Sequence, residues 1–124
     1  MGKAKINDLV DFKLPPKDCP SKVTPFVFLN PLGDEIFEVG SKVAIYWKGG
    51  PPLPQTVRIY LIDVEAWATI ANIVPSLVVN NSPGFYQWTI PLTWLQTHNH
   101  TQYQIYIEDV ARTTWLYGHT FKIT

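Results

Sequence analysis

Residues 43–61 read Val43-Ala44-Ile45-Tyr46-Trp47-Lys48-Gly49-Gly50-Pro51-Pro52-Leu53-Pro54-Gln55-Thr56-Val57-Arg58-Ile59-Tyr60-Leu61. Val43, Ile45 and Trp47 alternate with Ala44, Tyr46 and Lys48; Val57, Ile59 and Leu61 alternate with Arg58, Tyr60 and Ile62. Successive side chains of a strand point to opposite faces, so this period of two marks two half-buried strands. The run from Gly49 to Pro54 stops the first strand, because proline gives no N–H to a ladder and glycine opens turn conformations.

The same texture continues on both sides. Toward the N-terminus, Phe26 to Leu29 is apolar and ends in the turn residues Asn30-Pro31-Leu32-Gly33-Asp34, and Phe37-Glu38-Val39 ends at Gly40-Ser41. Toward the C-terminus, Tyr86, Trp88 and Ile90 alternate, as do Tyr103, Ile105 and Ile107 against Gln104, Tyr106 and Glu108. Trp115 to Tyr117 and Phe121 with Ile123 close the chain. Leu77 to Val79 is a short run closed by Asn80-Asn81-Ser82-Pro83-Gly84, and Thr93 to Gln96 has room for one helical turn before the polar loop Thr97 to Thr101. Trp67 to Val74 is ambiguous: Ala66, Ala68 and Ala71 permit helix, while Ile70, Ile73 and Val74 suit a strand. So short a segment favours a strand or an irregular crossing. About seven short strands with turn signals between them predict an all-β, immunoglobulin- or fibronectin III-like antiparallel sandwich over residues 26–124. One face of each strand must be buried against a second layer, and the mixture of short and long connections predicts Greek-key crossings.

Residues 1–25 differ. Pro15, Pro16, Pro20 and Pro25 fall among Lys and Asp with little periodicity, which predicts an extended Pro-rich arm, with a short helical turn at Asn7 to Phe12 as a local alternative. Cys19 is the single cysteine, so no intrachain disulfide and no cysteine metal cage can form; it reads as an isolated thiol, the alternative being an intermolecular bridge. Met1 to Lys5 is not followed by an apolar core, so no secretory signal is visible as written, and Ile6 departs from the myristoylation pattern.

Composition narrows the function. The chain has 124 residues, 46% hydrophobic and 14% aromatic, enough apolar material for one core. Ten basic residues balance ten acidic ones, which gives no electrostatic reason to expect nucleic acid or an anionic membrane. No run approaches the roughly 20 apolar residues of a transmembrane helix.

The pieces Phe28-Leu29-Asn30-Pro31, Phe37-Glu38-Val39-Gly40-Ser41 and Val43-Ala44-Ile45-Tyr46-Trp47 then acquire a common meaning. With Val57 to Leu61, Gly84 to Pro91, Tyr103 to Ile107 and Thr120 to Ile123, they resemble, in order and spacing, an immunoglobulin-like domain family. That family is found at the N-termini of fungal Ser/Thr-rich GPI-anchored cell-wall proteins and of proteins tied to β-1,6-glucan assembly. The resemblance covers residues 26–123. It implies an extracellular, wall-associated setting, and it carries no catalytic residues with it.

Catalytic and metal chemistry are poorly supplied. His98 and His100 share a loop with His119 elsewhere, but ligands at i and i+2 of an extended segment point apart, and solvated loop histidines are the default. There is no Gly-x-Ser-x-Gly elbow, no phosphate loop, and Asp63, Glu65, Glu108 and Asp109 are paired carboxylates by type only. No metal, cofactor or catalytic residue is therefore expected. The aromatic residues are the stronger signal. Trp47 and Trp88 fall in register with core positions. Trp67, Trp94 and Trp115 lie at strand edges or in connections, where they either plug the sandwich or stack on a sugar or a partner. Tyr60 and Tyr106, with Tyr46, occupy the off-core parity and make a semi-polar aromatic surface if they share a sheet face. Asn80 and Asn99 begin N-glycosylation sequons in expected loops. The sequence thus points to a non-catalytic binding or structural module that contacts cell-wall polysaccharide or a surface protein. The alternative is an interaction or self-assembly domain, a homo-oligomer among its options, using edge strands or the aromatic face. A small metal-dependent enzyme ranks last.

Overall fold

A computed structural model describes residues 14–19 and 23–124. The expected helical turn at Asn7 to Phe12 lies outside the described residues. Among the described residues there are nine strands: β1 (Val27–Asn30), β2 (Ile36–Phe37), β3 (Lys42–Lys48), β4 (Gln55–Asp63), β5 (Ala68–Val79), β6 (Gly84–Thr89), β7 (Gln102–Asp109), β8 (Trp115–Tyr117) and β9 (Phe121–Ile123). One helical turn, α1 (Trp94–Thr97), precedes β7. Strands β1-β3-β6 form a three-stranded sheet and β2-β9-β7-β4-β5 a larger one, with β8 pairing β7. The chain changes sheets between β1 and β2, β2 and β3, β3 and β4, β5 and β6, and β6 and β7, so the expected crossings occur in an all-β sandwich.

The inner faces explain the alternation. Val43, Ile45 and Trp47 of β3 meet Val57, Ile59 and Leu61 of β4, Ile105 and Ile107 of β7, and Phe121 and Ile123 of β9 in one core. Trp47 is 1% exposed, and its indole N–H donates to Gln55 Oε1 at 3.2 Å, while Gln55 Nε2 donates to the carbonyls of Gly49 and Pro51. Gly84 opposes Trp47 across the β3–β6 ladder, and a Cβ there would fall 2.3 Å from the indole ring. Only glycine allows that approach.

Two elements depart from the sequence reading. Trp67 to Val74 and Leu77 to Val79 belong largely to one strand: β5 runs through both as a sheet edge, with register shifts against β4. Pro75 sits within it, as an edge strand tolerates, and with the shifts it had broken the period of two. Strands β4 and β7 are also not half-buried. Tyr60 to Asp63 and Ile105 to Asp109 are buried consecutively, so both faces of the central strands are covered along those stretches.

Candidate aromatic surfaces

The cover on the outer face of the larger sheet includes the chain's own N-terminal segment. Strand register sets Tyr60 of β4 beside Tyr106 of β7, and Tyr106 beside Tyr117 of β8. Their rings follow one another at 6.0 Å and 4.8 Å between centroids, and Trp67 extends the row, 5.1 Å from Tyr117. Leu14 packs with Trp115 and Tyr117 against Tyr60, Ile62 and Tyr106. The Trp115 indole N–H donates to the Pro16 carbonyl at 2.8 Å, and the Tyr117 hydroxyl donates to the Pro15 carbonyl at 2.6 Å. The Lys17 ammonium stands 4.8 Å over the Trp67 ring, and the half-buried Cys19 thiol lies 3.5 Å from Thr114 Oγ1. Residues 14–19 are therefore a strap on the sheet.

Charge is handled locally beneath this row. Glu108, fully buried, accepts from the Tyr106 hydroxyl at 2.7 Å and pairs with Arg112 at 3.1 Å and Arg58 at 3.4 Å. Burial, reinforced by the Glu108 carboxylate, drives Tyr106 far above the usual tyrosine range, and burial pushes Tyr117 up to about 12. Both phenols stay neutral and serve as donors. Trp67 holds φ at +51°, a left-handed conformation that a bulky residue rarely adopts, and this backbone presents its ring beside Tyr117.

A second aromatic surface lies on the opposite side of the molecule. Tyr46 of β3 and Phe85 of β6 are cross-strand partners on the outer face of the smaller sheet, with centroids 4.7 Å apart. They are 38% and 46% exposed, and Lys42, Lys48, Gln87 and Thr89 share their parity as an exposed polar surround.

The residues singled out in the sequence separate accordingly. Tyr60 and Tyr106 share a face while Tyr46 is on the other sheet, and at 7% and 0% exposed the two are corrected from an open aromatic surface to buried residues packed with Leu14. Trp67 and Trp115 flank the strap. Trp94 is corrected to a core residue: it is 5% exposed, its N–H faces the Tyr103 hydroxyl at 3.2 Å, and His98 stacks on it at 3.7 Å. It plugs the end of the sandwich. Asn80 and Asn99 are exposed, in the β5–β6 connection and the loop before β7. The histidines go to different places: His98 to Trp94, His100 to Asp63, and His119 against Gly33. Among the described residues no group of three or more metal-type side chains gathers, and no helix is long and apolar enough to cross a membrane. Sequence reading missed Phe85, Tyr117 and the strap; the alternation flanking Tyr86 and the Pro15-Pro16 pair were the available signals.

The family model for a Kre9/KNH-like N-terminal Ig-like domain matches residues 30–123, nearly the whole sandwich. No curated protein and no solved structure matches the chain.

Proposed function

We propose, from the premise that this chain belongs to the Kre9/KNH-like N-terminal Ig-like domain family, that it is a non-catalytic recognition module acting outside the cell at the wall. That family is a fungal cell-wall family linked to glucan assembly. The observation that carries the reading is the Tyr46–Phe85 pair. Two adjacent, partly exposed rings tilted 40° to each other stand on a sheet surface and offer apolar area for the C–H face of a sugar ring. Lys48 and Gln87 at the margin supply hydrogen-bond partners for hydroxyl groups.

Retention of the purified full chain on isolated wall glucan tests this. Retention should fall at least tenfold in a Tyr46→Ala/Phe85→Ala variant, which alters exposed positions and so costs the fold little. Equal retention by the natural chain and the variant, or none by either, overturns the reading.

A further inference from the structure

We infer that the aromatic row Trp67–Tyr117–Tyr106 with Trp115 is a binding groove for extended proline-rich peptide, occupied in this chain by its own Leu14-Pro15-Pro16-Lys17 segment. This site is on the other sheet from Tyr46 and Phe85 and does not depend on the glycan reading.

Three observations converge on it. First, the polar contacts are of one kind. Trp115 and Tyr117 each donate to a main-chain carbonyl, of Pro16 and Pro15, and neither bond reads a side chain. Consecutive prolines have fixed φ, and each disfavours helix at the residue before it, so the carbonyls of Leu14-Pro15-Pro16 are not used up in local helical bonds and are free to accept from the sheet. Aromatic grooves recognise such segments in this manner, with Trp and Tyr donors between flat apolar walls. Second, the groove discriminates at one end, since Lys17 stands over Trp67 and a cation is attracted to an indole face. Third, Trp67 is held in a left-handed conformation, and bulky residues in that region occur where the surrounding structure imposes them, often at binding sites.

The fitting occupant from another chain is therefore a Leu-Pro-Pro-basic segment, or a close relative, belonging to a separate protein. A second copy of this chain is the less favoured source, because its own segment is already engaged on its own aromatic row, whereas a segment of a separate protein has only one strap to displace. The strap acts as an attached competitor at an effective concentration of about millimolar, so a partner must exceed that threshold or meet a loosened strap.

The test uses the full chain and a labelled peptide of the sequence Leu-Pro-Pro-Lys-Asp, with two readouts: fluorescence anisotropy, and the rate at which Cys19 reacts with a thiol reagent. The peptide contains no cysteine, so a faster Cys19 reaction reports strap release. A Pro15→Gly/Pro16→Gly variant should bind the peptide at least tenfold more tightly than the natural chain does. Saturating peptide should raise Cys19 reactivity of the natural chain several-fold. Trp115→Phe, introduced into the loosened variant, should weaken binding about tenfold, and Trp67→Asn, which suits the left-handed backbone, should do so while the fold is retained. No peptide binding by the loosened variant overturns the proposal, as does binding indifferent to Trp115 and Trp67. Concentration-dependent dimers abolished by the Pro15→Gly/Pro16→Gly change would assign the groove to a second copy and overturn the assignment to a separate partner.

Discussion

The Tyr117 hydroxyl donates to the carbonyl of Pro15 at 2.6 Å, joining β8 to a segment 102 residues earlier in the chain. A neutral phenol is needed for that bond, and burial supplies it by lifting the Tyr117 pKa to about 12. Because the folded value exceeds the ordinary value of 10.0, this contribution is complete below pH 10 and is lost as pH rises toward 12. Tyr117→Phe should therefore reproduce at neutral pH what alkali does to the natural chain. Cys19 should react faster, while global stability falls by only about 0.5–1.5 kcal/mol, the usual net worth of one hydrogen bond. Unchanged thiol kinetics in Tyr117→Phe would mean that the bond does not hold the strap.

Gly84 is where two β-strands approach over a tryptophan. A methyl group there would meet the Trp47 ring at 2.3–2.6 Å, and that ring is locked by its bond to Gln55. Gly84→Ala should lower stability in urea by about 1–3 kcal/mol through overpacking. The near-ultraviolet circular dichroism of the tryptophans should change with it. A variant of natural stability would show that Trp47 has a second accommodating rotamer.

How far these features were legible in the sequence depends on the range of the interaction that makes them. Val43, Ile45 and Trp47, or Tyr103, Ile105 and Ile107, announce their strands because inward-pointing side chains recur every second residue and one inner face receives them all. The parity of Tyr60 and Tyr106 set them off the inner face, but it did not show that they are buried there. What covers that face was not legible. The bonds from Trp115 and Tyr117 to Pro16 and Pro15 span about a hundred residues and leave no periodic trace. Trp94 was hidden for a related reason. It sits in a single helical turn, too short for a helical period, and only the crossing into β7 brings it against Tyr103. Strand β2, two residues paired parallel with β9, is below the length at which alternation means anything.

Glu108 offers a test of how the central strands tolerate charge. Its carboxylate is fully buried between the Tyr106 hydroxyl and the guanidinium groups of Arg112 and Arg58, which are themselves about one-third exposed. Removing the carboxylate deprives a buried hydroxyl of its acceptor and leaves two cations near the sheet. Glu108→Ala should cost about 3 kcal/mol, and Arg58→Ala under about 1 kcal/mol because that partner reaches solvent. Equal costs in denaturant titrations would contradict this asymmetry.

The loop before β7 is tied to the β4–β5 turn by His100, whose Nδ1 lies 2.6 Å from Asp63 Oδ2, and by Glu65, which accepts from the Thr101 and Gln102 N–H groups. The hydrogen bond that His100 donates to the Asp63 carboxylate raises the His100 pKa, outweighing the opposing effect of burial. Burial pushes Asp63 upward, but the Ala66 N–H and the His100 ring together hold its carboxyl below the ordinary value. A raised histidine contributes stability that is complete below about pH 6.5 and disappears as pH climbs through the folded value. A lowered aspartate contributes stability above about pH 4 that disappears as pH falls through its folded value. The tie is thus at full strength between about pH 4 and 6.5. Thermal melting of the natural chain should show its full advantage over His100→Gln below about pH 6.5 and lose it as pH rises above that through the folded value. Parallel profiles for the two proteins across pH 5–9 would show that Glu65 and the backbone hold the loop without the imidazolium.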